Sequence, residues 1–201
     1  MDRLSRGALL AAALLAGCAP GVANRDSRGT EVICFGDSLT AGVGAAPGND
    51  YPSRLSKALG VPVVNAGVSG NTTADGLARL DRDVLSRNPR LVVVAFGGND
   101  FIRGVPSAET FRNLDNMIRR IQEKGAMVVL AGVRSGLLGN ARKKDFKKLA
   151  RARRAALVPD LLEDVWGRPA LMSDGIHPNE AGYAVMAGRV EKVVAPLLEP
   201  S

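Results

Sequence analysis

Leu91-Val92-Val93-Val94-Ala95-Phe96 runs without a polar residue into Gly97-Gly98-Asn99-Asp100. Six apolar residues, half of them β-branched, are too few for a buried helix and read as a strand buried on both faces. The glycine-rich polar stretch that follows marks the point where the chain turns out of the core. Upstream, Val32-Ile33-Cys34-Phe35 runs into Gly36-Asp37-Ser38-Leu39 in the same way, and Val61 to Val64 leads toward Gly67-Val68-Ser69-Gly70-Asn71. Downstream, Met127 to Leu130 is a fourth apolar run and Ala156 to Val158 a weaker fifth.

Helical patterns fill the intervals. Leu77, Leu80 and Val84 share a face behind the caps Thr72 and Thr73, and Phe111, Leu114, Ile118 and Ile121 share another between Ser107 as N-cap and Gly125 as stop. A last helix is expected from Pro178, a good first-turn residue, to about Val194. Apolar strands alternating with helices imply an α/β domain whose parallel sheet is covered on both faces. In such sheets ligands bind beyond the carboxyl ends of the strands. The three glycine-rich loops fall there.

The remaining length and composition set the frame. At 201 residues the chain has room for one domain with a substantial core, and 46% hydrophobic with 23% charged residues is ordinary globular composition. The first residues differ. Arg3 and Arg6 precede the apolar stretch Ala8 to Ala16, which ends in Leu15-Ala16-Gly17-Cys18. This is the anatomy of a signal peptide, and its apolar run is far short of the roughly 20 residues that cross a bilayer. The small residues leading into a cysteine resemble the lipobox of bacterial lipoproteins. That resemblance implies cleavage after residue 17, acyl chains on Cys18, and a protein held in the bacterial envelope, with the outer membrane favoured by Ala19. The expected organisation is a signal peptide over 1–17, a lipidated cysteine and tether over 18–30, and one folded domain over 31–201. Losing Asp2, Arg3 and Arg6 would leave the chain basic. Cys34 would then have no disulfide partner and reads as a buried, inert thiol.

Histidine narrows the chemistry, because the chain has one. Any imidazole base must be His177, in Asp174-Gly175-Ile176-His177-Pro178. A carboxylate three residues earlier can fold back on Nδ1–H, fixing the tautomer and leaving Nε2 as base. The same pentapeptide also reads as a helix-start loop with a capping aspartate. Ser38 stands just after a strand, where a helix begins; it fits a nucleophile, and equally a helix cap. Asn99 offers a side-chain N–H, and Gly70 and Ser38 offer backbone N–H groups, for an oxyanion. Each of these also reads as a turn former.

Four blocks in this order, Gly36-Asp37-Ser38-Leu39, Gly70 within Val68-Ser69-Gly70-Asn71, Gly97-Gly98-Asn99-Asp100 and Asp174-Gly175-Ile176-His177-Pro178, resemble the SGNH or GDSL hydrolases. The resemblance implies a three-layer, flavodoxin-like α/β/α sandwich, with Ser38 as nucleophile, His177 as base, Asp174 as orienting acid, and Ser38, Gly70 and Asn99 around the oxyanion. Asn65 to Gly70 and Gly76 to Leu80 look closest to the thioesterase, arylesterase and lysophospholipase branch, which forms an acyl-serine intermediate on small acyl esters or thioesters. Between Val133 and Pro159 the chain departs from that branch. Where a longer substrate-side loop and helix are usual, it has Gly136-Leu137-Leu138-Gly139 and a compressed basic segment.

Other classes find less support. Gly42-Val43-Gly44 lacks the third glycine of a dinucleotide loop, since Pro47 stands there, so no cofactor is expected. One histidine and no cysteine cluster disfavour a metal. The basic run Arg142 to Arg154 reads first as a solvated helix face, with contact to an anionic membrane surface as the functional alternative. Nucleic acid is not an expected partner of an exported protein with few aromatics. A carbohydrate O-acetylesterase with the same triad, and a non-catalytic envelope-binding lipoprotein, are the competing functions.

Overall fold

In the computed structural model, which describes residues 21–133 and 139–199, five parallel strands form one sheet in the order β2-β1-β3-β4-β5. They are β1 (Glu31–Gly36), β2 (Val63–Gly67), β3 (Pro89–Ala95), β4 (Met127–Ala131) and β5 (Ala156–Val158). The helices between them are α1 (Ser38–Ala41), α2 (Tyr51–Leu59), α3 (Thr73–Asp83), α4 (Gly98–Ile102), α5 (Ser107–Glu123), α6 (Gly139–Ala152) and α7 (Glu180–Leu198). Strand order reverses between β1 and β3, which makes their carboxyl ends the switch point where a crevice opens.

Alternation along each strand divides the core into two layers. Val32, Cys34, Leu91, Val93, Met127 and Val129 face Tyr51 and Leu55 of α2 and Tyr183, Met186, Val190 and Val194 of α7. Ile33, Phe35, Val92, Val94, Val128 and Leu130 face Leu80 of α3, Leu114, Met117, Ile118 and Ile121 of α5, and Phe146 of α6. This is the expected three-layer sandwich. Among the described residues, every member of both clusters lies between residues 22 and 198. Cys34 is buried and free, and burial pushes its thiol up to about 12.

Several boundaries differ from the sequence expectation. The second strand begins at Val63, not Val61, because Pro62 has no N–H and the ladder with β1 opens at Val32 and Val63. The cap of α3 is Thr72 alone, in a reciprocal capping box with Asp75. Ser107 is the first helical residue of α5, with Pro106 in the cap position, while Gly125 follows its end as expected. The last helix starts at Glu180, because Asn179 caps it by accepting from Gly182 N–H at 3.1 Å, and it continues past Val194 to Leu198. Pro178 instead pairs with Met172 in an isolated bridge.

The polar stretch before β1 is fastened to the body from residue 21 onward. Asn24 Nδ2 donates to the carbonyls of Gln122 and Ala126 at 2.8 and 2.9 Å, Ala23 N–H donates to Arg154 O, and Val22 packs on the core. The signal peptide, Cys18 and the segment from Gly136 to Leu138 lie outside the described residues.

Candidate active site

Four loops converge beyond the carboxyl ends of β1, β2 and β3. Ser38 is the first residue of α1. Asp37 before it is the N-cap, its Oδ1 accepting from Leu39 N–H at 3.0 Å. The sharp exit from β1 depends on Gly36: a Cβ there would stand 2.0 Å from Thr40 Oγ1. The reading of Ser38 as the helix cap is therefore replaced by one in which Asp37 caps and the serine hydroxyl is left free.

That hydroxyl meets the only histidine. Ser38 Oγ lies 3.1 Å from His177 Nε2, and His177 Nδ1 lies 2.8 Å from Asp174 Oδ2. The loop carrying both partners is closed on itself. Ser173 N–H and Oγ donate to His177 O at 2.9 and 3.1 Å, and Asp174 Oδ1 accepts from the N–H groups of Ile176 and His177, each at 2.7 Å. The imidazole side chain is 14% exposed and the Asp174 side chain 52%. The hydrogen bond from His177, with the two backbone donors, holds the Asp174 carboxyl down at about 2. It is ionised throughout the neutral range, as an acceptor for Nδ1–H must be.

Asn99, the second residue of α4, reaches the same place from β3. Its Nδ2 donates to Asn71 O at 3.0 Å and makes a long 3.4 Å contact with Asp37 Oδ2. Gly70 turns the loop after β2 with φ at +79°, and its carbonyl accepts from Arg103 Nη2 at 2.8 Å. The carbonyl is thus engaged on one side, and the N–H on the other side of the residue has no acceptor among the described residues. The structure brings all the anticipated site residues within the described chain to one edge.

Two charged groups in this edge lie within the stretches 36–39 and 76–80, whose sequence reading assigns neither of them a role. Asp37 is 2% exposed, and burial pushes its carboxyl up to about 6 against the pull of the Leu39 amide and His177. Arg79 of α3 is buried under the floor of the site. It donates to Gly36 O at 2.8 Å, Ala66 O at 3.0 Å and Asn71 Oδ1 at 2.6 Å, pairs with Asp83 at 2.8 Å, and lies 4.4 Å over the Phe35 ring. One guanidinium therefore ties the ends of β1 and β2 to the loop whose Asn71 carbonyl holds Asn99.

Beside Ser38 and His177 opens a cavity of about 210 Å³, walled mainly by Leu39, Phe101, Ile102, Val133, Leu162 and Trp166. An apolar hollow beside a serine–imidazole pair suits an acyl chain whose carbonyl sits at the pair. It is smaller than the roughly 300 Å³ at which pockets for drug-sized ligands begin.

Comparison with known proteins agrees with this arrangement. The model of the GDSL-like Lipase/Acylhydrolase family matches residues 34–185, which span all four loops. Esterase TesA of Pseudomonas aeruginosa is 34% identical over 199 residues, covering 93% of this chain and 99% of that protein. Thioesterase 1/protease 1/lysophospholipase L1 of Escherichia coli K12 is 31% identical over 175 residues, 83% of this chain and 84% of its own length. The crystal structure of TesA superposes with a TM-score of 0.79 at 34% identity, covering 84% of this chain and all of that one.

Proposed function

The chain belongs to the GDSL-like lipase/acylhydrolase family and is a serine esterase acting on acyl esters or thioesters, and we propose that Ser38, His177 and Asp174 carry out its reaction. The observation that carries this reading is the unbroken relay from Ser38 Oγ to His177 Nε2 at 3.1 Å and from Nδ1 to Asp174 at 2.8 Å. Nε2 takes the hydroxyl proton as Oγ bonds to the acyl carbon, and the ionised Asp174 stabilises the imidazolium that forms. The carbonyl oxygen, now an anion, is met by the N–H groups of Ser38 and Gly70 and by Asn99 Nδ2. Collapse expels the alcohol or thiol, which leaves with the proton from Nε2. Water then repeats the sequence on the acyl-serine: it gives its proton to Nε2, its oxygen bonds to the acyl carbon, and the Ser38–acyl bond breaks. The acid is released and the hydroxyl restored.

The apolar cavity supports short or medium acyl groups on lysophospholipids, thioesters or aryl esters, and gives a glycan little to bind. Cys18 follows Leu15-Ala16-Gly17, and this supports a lipid anchor there and a place in the bacterial cell envelope. A fluorophosphonate probe should label the protein and fail on Ser38→Ala. Asn99→Ala should keep the fold and lose about 10²–10³ in turnover of a nitrophenyl ester. Labelling that survives in Ser38→Ala would move the nucleophile elsewhere.

A further inference from the structure

The basic segment on α6 is sorted by its surroundings. Lys143 is taken by Glu163 at 3.2 Å and Asp160 at 3.6 Å, and Arg153 by Asp115. Lys144, Lys147, Lys148 and Arg151 are exposed, and none has an ion-pair partner among the described residues. Their spacing of three, one and three places them on one face of the helix, where with Ala152 they line a single shallow hollow. Asp145 is the one acid among them in sequence, and it borders a different hollow, with Asp115, Phe111 and Lys148. Four unpaired cations along one helix face repel one another. The arrangement is stabilised when an extended anionic surface meets it.

The two ends of α6 indicate what that surface is. Its last turn leads to Arg154, whose Nε donates to Gly21 O at 3.0 Å while its carbonyl accepts from Ala23 N–H at 2.8 Å. The chain therefore comes away from Cys18 beside this end of the helix, with two residues, Ala19 and Pro20, and a reach of at most about 11 Å between Cys18 and Gly21. Near the other end, the Arg142 guanidinium lies 4.9 Å over the ring of Phe101, a wall of the acyl cavity. At 1.5 Å per residue the helix spans about 21 Å, so its solvent face bridges the point of attachment and the mouth of the site. Ile102 and Ile176, the exposed apolar residues of that mouth, complete the edge.

From this juxtaposition we propose that the Lys144, Lys147, Lys148 and Arg151 face of α6 docks on the anionic headgroups of the membrane, laying the body on its side with the acyl cavity at the lipid surface. The inference deepens the envelope reading and rests on it for the identity of the surface. A body standing on its amino-terminal edge would hold the site about 20 Å away, one strand length. Lying on α6, it takes acyl substrates from the lipid layer itself.

The test uses the chain from residue 19, which retains every core residue among the described ones and carries no lipid, on phosphatidylglycerol–phosphatidylcholine vesicles and on pure phosphatidylcholine vesicles. Binding is expected on the anionic vesicles only, weakening as salt rises. It should fall about fivefold per cation removed, and several hundredfold in K144Q/K147Q/K148Q/R151Q, with circular dichroism and soluble nitrophenyl ester turnover unchanged. K57Q/K192Q, on the helices of the opposite layer, should weaken binding far less than K147Q/K148Q. Equal binding to both vesicle types, equal effects of the two pairs, or tighter binding to duplex RNA would each overturn the proposal. Fractionation of cells making full-length Cys18→Ser tests the anchor on its own, because the vesicle assay contains no acylated cysteine.

Discussion

Asp37 stands beside the nucleophile with its carboxyl sealed from water, and this gives the protein a pH response separable from catalysis. Burial raises it from the ordinary 3.8 to about 6. Between about pH 4 and 6 the folded state keeps a proton that the unfolded chain has released, so stability falls as pH rises through that window and levels off above it. The loss amounts to at most about 3 kcal/mol, at 1.36 kcal/mol for each pH decade between the two values. Asp37→Asn should remove this slope. Its oxygen can still accept from Leu39 N–H, while its amide would face Asn99 Nδ2 donor to donor, a fixed cost at every pH. Urea unfolding of both proteins from pH 4 to 7 should show the variant gaining on the parent as pH rises. A constant offset across the range would mean that Asp37 does not titrate there.

Helix α7 is built around its N-cap, Asn179. Asn179 Oδ1 caps the helix through Gly182, and its Nδ2 donates back to Ala170 O at 2.9 Å, tying the helix start to the 3-10 turn Pro169–Leu171 that precedes the His177 loop. Asn179→Ala should cost about 1–2 kcal/mol, the worth of a cap plus one hydrogen bond. Asn179→Asp keeps the cap and should recover about half of that loss in a urea midpoint. An alanine variant as stable as the parent would show that the cap contributes nothing. The apolar strands and the four loops were legible because each is a local pattern, an apolar run ended by glycine or a carboxylate three residues from a histidine. The start of α7 was not, since Pro178 and Asn179 are both good helix-start residues and the bridge to Met172 decides between them. Arg79 was hidden for another reason. Beside Leu77, Leu80 and Val84 it reads as a surface cation, and only the carbonyls of Gly36 and Ala66, brought in by the sheet, explain its burial. The cavity wall joins Phe101 of α4, Val133 after β4, and Leu162 and Trp166 after β5, which no periodicity connects.

Taken whole, the molecule has a chemical pole and a fastening pole at opposite edges of one sheet. Ser38, Gly70 and Asn99 follow the carboxyl ends of their strands, whereas residues 21–25 are bound to Gln122, Ala126, Arg154 and Pro196, which lie at the amino-terminal edge or the nearby helix ends. Across about 20 Å of rigid parallel sheet, changes at one pole reach the other only through the stability of the fold. Deleting residues 19–27 removes the Asn24 and Arg25 hydrogen bonds, the paired contacts to Arg154 and the packing of Val22. At about 1 kcal/mol for each net hydrogen bond, less the entropy regained by the freed segment, the loss should be about 2–4 kcal/mol. Turnover of a soluble nitrophenyl ester should stay within about twofold of the chain that begins at residue 19, at temperatures where both are folded. Loss of turnover without loss of folded protein would mean that the two poles communicate. The sheet would then transmit more than support, through the β1 end that Arg79 holds.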